Sequence, residues 1–253
     1  MTDLSERHAV VTGAGSGVGE AIALALAESG ARVTAMGRRR EPLDALARRN
    51  ERIRAVEGDV TDAEGLGRAM ETAASANGAI DIIVANAGTA DSAPFRRMTE
   101  EMFRSILDVN LVGVFNTFRA GLDHLNQGPN GRLIAISSIA GLHGHAYMSA
   151  YCASKHGVIG LVRSLAAELA TTGTTVNAIC PGYTETPMLT RTIENIMEKT
   201  GRTREQAEAP ILATNPQGRF IKPEEIAETT LWLCGPGAAS VNGQAIELSG
   251  GES

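Results

Sequence analysis

Seven short runs rich in Val, Ile and Ala recur along the chain, and longer stretches with helical spacing of apolar residues separate them. The runs are His8–Thr12, Arg32–Met36, Ile53–Val56, Ile80–Ala85, Arg132–Ser137, Thr175–Ile179 and Ala245–Leu248. Helices fit between them at Gly17–Glu28, Pro42–Arg49, Ala63–Ala76, Glu100–Leu122, Ser149–Thr171 and Pro223–Leu233. This alternation is the signature of βαβ units around a parallel sheet. It predicts an α/β fold, a Rossmann-like doubly wound parallel sheet of about seven strands with helices on both faces. No linker, repeat or low-complexity tract divides the 253 residues, so residues 1–253 are expected to form one domain. The rhythm breaks once, at about 183–222, where connections are normally short. An insertion there should cover a site.

In open parallel sheets ligands bind beyond the carboxyl ends of the strands, and the unusual polar residues of this chain fall at those ends. TGAGSGVG follows the first run, Gly37–Arg40 the second, and Asp59 with Val60 the third. Asn86–Gly88, Ser138 and Pro181–Gly182 follow the fourth, fifth and sixth. Gly13, Gly17 and Gly19 stand in a strand–turn–helix setting, where missing side chains let backbone N–H groups approach a pyrophosphate. About 20 residues after Gly17, NAD binders usually place an acid for the ribose 2′-hydroxyl. Here Gly37 is followed by Arg38, Arg39 and Arg40. A guanidinium pairs with a 2′-phosphate where a carboxylate would repel it, so NADP(H) is the expected cofactor, with NAD(H) the alternative. A solvated helix start could account for two of the three arginines.

Two polar residues lie on faces that should be buried. At ~100° per residue Lys155 shares a stripe with Tyr151, Val158, Val162, Leu165 and Leu169. A buried ammonium is costly unless it is paired or used. Asn110 shares a stripe with Phe103, Ile106, Leu107 and Val114, so an amide faces the core and needs partners. Both also have structural readings, a snorkelling lysine and an amide bonded to a neighbouring helix. Cys152, Ala153 and Ser154, between Tyr151 and Lys155, read mainly as small spacers.

Composition excludes some classes. A net charge of −6 argues against general nucleic-acid affinity. No apolar run approaches the ~18 residues of a membrane span, and the N-terminus enters a strand pattern without a secretory signal. The expected location is the cytoplasm. Three widely spaced cysteines, without a CxxC pair, predict buried thiols and no metal.

Taken together, these motifs resemble the short-chain dehydrogenase/reductase family in its single-domain form, over nearly the whole chain. TGAGSGVG is similar to that family's TGxxxGxG, ANAG to NNAG, YCASK to YxxxK and PGYTET to PGxxxT, and Ser138 precedes Tyr151 by 13 positions. Ala85 replaces an asparagine of NNAG, and Ser249 stands where many relatives carry Asp. The resemblance implies a catalytic set of Asn110, Ser138, Tyr151 and Lys155. Tyr151 would be the general acid or base, Lys155 would lower its pKa and hold the nicotinamide ribose, and Ser138 would polarise the substrate oxygen. Asn110 would carry a water chain. It implies cofactor contacts from Gly13, Ser16, Gly17, Val18, Gly19, Arg38, Arg39, Asp59, Val60, Asn86, Ala87, Gly88, Tyr151, Lys155, Pro181, Gly182, Thr184 and Thr186.

The substrate should meet the 183–222 insertion and the facing loop, through His143, His145, Met148, Tyr183 and Met188, with Leu142 nearby. These segments mix apolar bulk with few charges, which suits a ketone with an apolar or thioester-linked chain. The resemblance extends to polyketide ketoreductases and 3-oxoacyl reductases or 3-hydroxyacyl dehydrogenases. Arg202, Arg204, Arg219 and Lys222 could hold the phosphates of an acyl carrier or simply be solvated. The alternatives are an NAD(H)-dependent dehydrogenase of a small secondary alcohol, hydroxy acid or steroid, and a cofactor-binding regulator without turnover. By analogy with relatives a homotetramer is expected, with a small ketone, alcohol or acyl thioester as the other partner and neither nucleic acid nor membrane.

Overall fold

The computed structural model describes residues 2–125 and 130–252. Strands β1 (His8–Thr12), β2 (Arg32–Gly37), β3 (Ile53–Glu57), β4 (Ile82–Ala85), β5 (Arg132–Ile136), β6 (Thr175–Pro181) and β7 (Ala245–Leu248) form one sheet in the order β3-β2-β1-β4-β5-β6-β7. Every neighbouring pair is parallel. The chain builds outward from β1 to β3, then crosses back to lay β4 on the other side of β1. This reversal opens a crevice beyond the ends of β1 and β4.

Helices α1 (Gly17–Glu28), α2 (Arg40–Ala47) and α9 (Pro223–Cys234) belong to one face, and α3 (Ala63–Asn77), α5 (Gly113–Leu122) and α6 (Ser149–Glu168) to the other. The period-2 geometry of the strands distributes their side chains accordingly. In β4, Ile82 and Val84 join the core with Ile22, Leu26 and Ile226, while Ile83 and Ala85 join Met70, Phe118 and Val162. Helices α7 (Pro187–Thr200) and α8 (Arg204–Leu212) occupy the insertion and bury a small core of their own, Leu189, Ile193, Ala207 and Ile211.

The helix expected over Glu100–Leu122 is interrupted. Helix α4 (Glu100–Leu107) passes into a π turn, Asp108–Val112, before α5 begins. The extra residue in a π turn rotates the helix beyond it, and Asn110, fully buried, lies at its centre. Gly113 then lets α5 settle on Val60, since a Cβ there would come within 2.7 Å of Val60 Cγ2. Strand β4 starts at Ile82 rather than Ile80, because Ile80 makes only an isolated bridge with Leu125. Helix α6 ends at Glu168, short of Thr171, in a 3₁₀ turn that leads to left-handed Gly173.

Candidate active site

The glycine turn after β1 and the segment after β4 are locked into one block. The Asn86 N–H donates to Thr12 Oγ1 (3.1 Å), and its amide donates to the carbonyls of Thr12 (2.9 Å) and Gly13 (3.2 Å). The Ala87 N–H also reaches Thr12 Oγ1, at 3.3 Å. Gly13 adopts φ +67°, and a Cβ there would lie 2.8 Å from Ala87 Cα, so a side chain is excluded twice. Ser16 precedes α1 as its N-cap without a side-chain capping bond, and Gly17, Val18 and Gly19 form the first turn behind it. Across the crevice Gly17 faces Thr186, whose Cγ2 lies 3.1 Å from where a Gly17 Cβ would be. Thr186 itself caps α7 by accepting the Leu189 N–H, and its hydroxyl donates to Thr184 O. The Thr184 hydroxyl donates to Gly182 O, and Gly182 N–H bonds Leu248 O, tying the Pro181–Thr186 turn to β7.

The arginines at the end of β2 and those between α2 and β3 divide by role. Arg40 pairs with Asp44 at 2.8 Å, Arg49 pairs with Glu20, and Arg52 donates to Gly30 O. Arg38 and Arg39 are exposed and have no ion-pair partner among the described residues. Arg39 is the N-cap of α2, and Arg38 lines a cleft of about 730 Å³ with Thr61, Arg104 and Asp108. Asp59 closes the same end. Burial pushes its carboxyl up, but the N–H and hydroxyl of Thr61 and the Arg38 charge outweigh this and hold it below the usual range. Val60, buried beside it, accepts the Asn116 amide at 2.8 Å.

Asn110, Ser138, Tyr151 and Lys155 converge beyond β4 and β5. Asn110 brackets Thr89, accepting its N–H and donating to its carbonyl, both at 2.8 Å. Its amide also donates to Ser154 Oγ (3.2 Å), whose hydroxyl donates to Tyr151 O (2.7 Å). Lys155 is 4% exposed and its Nζ donates to Ile136 O at 2.9 Å, leaving the other N–H bonds to a ligand. Gly88 keeps the space above it open, since a Cβ there would lie 3.3 Å from Asn110 Oδ1 and 3.8 Å from Lys155 Nζ. Ser138 follows β5, and its Oγ accepts the Ala140 N–H at 3.1 Å.

The Lys155 Nζ lies 5.7 Å from the Tyr151 ring centroid. Burial raises the phenol above its ordinary value, with only the Ser138 hydroxyl opposing. Burial lowers Lys155 to about 8, against the influence of the Cys180 thiol. Desolvation governs both groups and favours their neutral forms.

A model of the short chain dehydrogenase family matches residues 7–196. The chain belongs to that family. It is 36% identical to a 3-oxoacyl-(acyl-carrier-protein) reductase of Thermotoga maritima, over 98% of each chain. It is 35% identical to a D-beta-hydroxybutyrate dehydrogenase of Cupriavidus necator, again over 98% of each. Among solved structures it is similar to an actinorhodin polyketide ketoreductase with NADPH, at TM-score 0.91 and 34% identity over 99% of this chain and 98% of the other. This short chain dehydrogenase is thus an NAD(P)-dependent oxidoreductase acting on CH–OH groups.

Several supporting residues escape a reading of the motifs. Ser154 is not a spacer: it links Asn110 to the backbone of Tyr151. Thr12 Oγ1 organises the Asn86 turn, Thr89 is the partner that buried Asn110 required, and Ser137 donates to Lys155 O at 3.2 Å. The position of Ser154, one residue before Lys155 on a face buried in the structure, was the available signal. Cys180 and Cys234 are buried as expected, while Cys152 is only partly so.

The substrate-side residues are gathered less tightly. Tyr183 packs on the small α7–α8 core, and burial raises its phenol, with the charges of Glu252 and Cys152 adding to the rise. Met148, His145 and Met188 are half-buried and His143 is exposed. Arg204 pairs with Glu208 and Arg219 with Glu225, so these cations are engaged within the protein. None of the described helices is long and apolar enough to cross a membrane.

Proposed function

We propose that this enzyme is an NADP(H)-dependent ketoreductase whose substrate is a ketone carrying an apolar or thioester-linked chain, with Tyr151 as the proton donor. The carrying observation is the convergence of two hydroxyls and a buried, under-bonded ammonium at the carboxyl ends of β4 and β5. The residues fit a dinucleotide. The glycine turn presents the N-terminus of α1, Lys155 has donors to spare, and Gly88 leaves room above it. Arg38 and Arg39, neither of them in an ion pair among the described residues, suit a 2′-phosphate. Similarity to an enzyme solved with NADPH supports the same preference.

The bound cofactor supplies a hydride, a proton with two electrons, to the carbonyl carbon. The chain's residues do the rest. Ser138 donates a hydrogen bond to the carbonyl oxygen and favours the charge that develops there. Tyr151 delivers its proton to that oxygen, so that ketone, hydride and proton become a secondary alcohol and the phenolate regains its proton from solvent, and the reverse path oxidises the alcohol. Lys155 holds the ribose hydroxyls and favours the phenolate left behind. Asn110 keeps Thr89 and the Tyr151 backbone in place while the proton moves. We read the chain as one cofactor-binding domain, cytoplasmic, and assembled as a homotetramer, the last supported by exposed Val112 at the end of the π turn and exposed Phe115 in α5.

Tyr151→Phe tests the reading. Reduction of a ketone panel should fall by about 10³-fold, within the range for general acids, while NADPH affinity measured by fluorescence stays within about twofold. Turnover that survives the change would remove Tyr151 from its role.

A further inference from the structure

Tyr147 is the one non-glycine residue with positive φ, +68°, among the described residues. A β-carbon in this region is disfavoured, and such outliers persist where surrounding structure holds them, often at functional sites. The restraint on this one is identifiable: the Tyr147 carbonyl accepts the Ala93 N–H at 2.9 Å. That bond joins two loops that flank the reacting groups. One runs from Ser138 to the start of α6 and holds Tyr147, four residues before Tyr151. The other runs from Thr89, bracketed by Asn110, to Pro94 and Phe95.

The clamp displays two aromatic side chains to solvent. Tyr147 is 66% exposed and Phe95, two residues beyond the clamped Ala93, is 78% exposed, the highest value for a large apolar side chain among the described residues. Exposed apolar groups scattered singly need no explanation, but two on neighbouring loops at the mouth of a site mark a surface that meets something apolar. A strained backbone that turns an aromatic ring outward at this point costs stability and gains nothing for the core.

We propose that Tyr147 and Phe95 form the entrance rim of the substrate site and determine specificity for a bulky apolar group carried by the ketone away from its reacting carbon. This rests on the ketoreductase reading above and names the part of the substrate that the rim meets. Neither residue touches the reacting atoms; both act on which substrates are admitted.

The test compares cyclohexanone with 2-acetylnaphthalene. Tyr147→Ala and Phe95→Ala should each raise the ratio of KM for the bulky ketone to KM for the small one at least fivefold. Tyr147→Phe, which keeps the ring, should leave that ratio as in the parent enzyme. Tyr147→Gly should match Tyr147→Ala in kinetics but melt at a higher temperature, because glycine accepts the positive φ. An unchanged ratio in the Ala variants overturns the proposal, as does a Phe95→Ala variant that changes only the sedimentation coefficient, which would make Phe95 a contact between copies. Equilibrium binding of 2-acetylnaphthalene, measured by its fluorescence, separates this proposal from its parent. Weakening of at least fivefold in both Ala variants supports the rim even if turnover survives Tyr151→Phe, and unchanged binding refutes it even if Tyr151 acts as assigned.

Discussion

Replacing Lys155 by methionine should stabilise the unliganded enzyme while abolishing its activity. The ammonium is 4% exposed, and burial lowers its pKa from 10.5 to about 8. At pH 7 the lysine is charged in both the folded and unfolded chain, so the folded state carries the full cost of hosting the charge. At ~1.36 kcal/mol per pKa unit that cost is about 3 kcal/mol. Between pH 8 and 10.5 the unfolded chain binds more protons than the folded one, so stability rises with pH and the cost fades. Methionine fills a similar volume without charge but leaves Ile136 O without the donor it has at 2.9 Å, a loss of about 1–2 kcal/mol. The net gain at pH 7 is about 1–2 kcal/mol, or about 5 °C in Tm for a chain of this size. Thermal melts of both proteins without cofactor, at pH 7 and pH 10 and matched ionic strength, check this. The gap should be largest at pH 7 and shrink or reverse by pH 10. A variant that melts below the parent at pH 7 would show that the lysine is a structural tie between α6 and β5, and the argument from a costly, functional charge would fail.

Two other outcomes rest on the geometry. Arg38→Ala should raise KM for NADPH about tenfold, the equivalent of one charge-assisted hydrogen bond of roughly 1.5 kcal/mol, and leave KM for NADH within about twofold; equal effects on both cofactors would sink the assignment of Arg38 to a 2′-phosphate. Asn110→Ala strips Thr89 of both its partners and Ser154 of a donor, so urea denaturation should report a loss of about 3 kcal/mol together with reduced kcat, whereas full stability would mean that water replaces the amide.

The strand pattern was legible because a parallel sheet covered on both faces demands continuous apolar runs, and β1 and β7 fall on the expected residues without adjustment. The glycine turn was legible for a similar reason: few residue types tolerate what Gly13 does. The π turn at Asp108–Val112 was not, because periodicity reads an uninterrupted stripe across Asn110 and cannot register one extra residue in a turn. Its consequence is chemical, since the π turn holds the residue that brackets Thr89. The surroundings of Tyr151 were legible only in part. Proximity in sequence placed Lys155 beside the phenol, and the structure sets its Nζ 5.7 Å from the ring centroid, but the burial that raises the phenol is a property of the assembled site.

The two halves of the site rest on different foundations, and this bears on how the enzyme can vary. The cofactor half is anchored in both main cores: Thr12, Asn86 and Gly13 are cross-bonded at the ends of β1 and β4, whose side chains divide between the two faces of the sheet. The substrate half depends on α7 and α8, which bury Leu189, Ile193, Ala207 and Ile211 against one another, apart from those cores. Local opening tracks the least-buried cooperative unit. The insertion can therefore shift or change sequence while Ser138, Tyr151 and Lys155 stay where β5 and α6 set them. The Pro181–Thr186 turn joins the halves, its Gly182 N–H bonded to Leu248 O of β7 and its own hydroxyls bonded within it. That turn is where a change in the insertion would first be felt by the cofactor, through Thr186 and the Gly17 it faces.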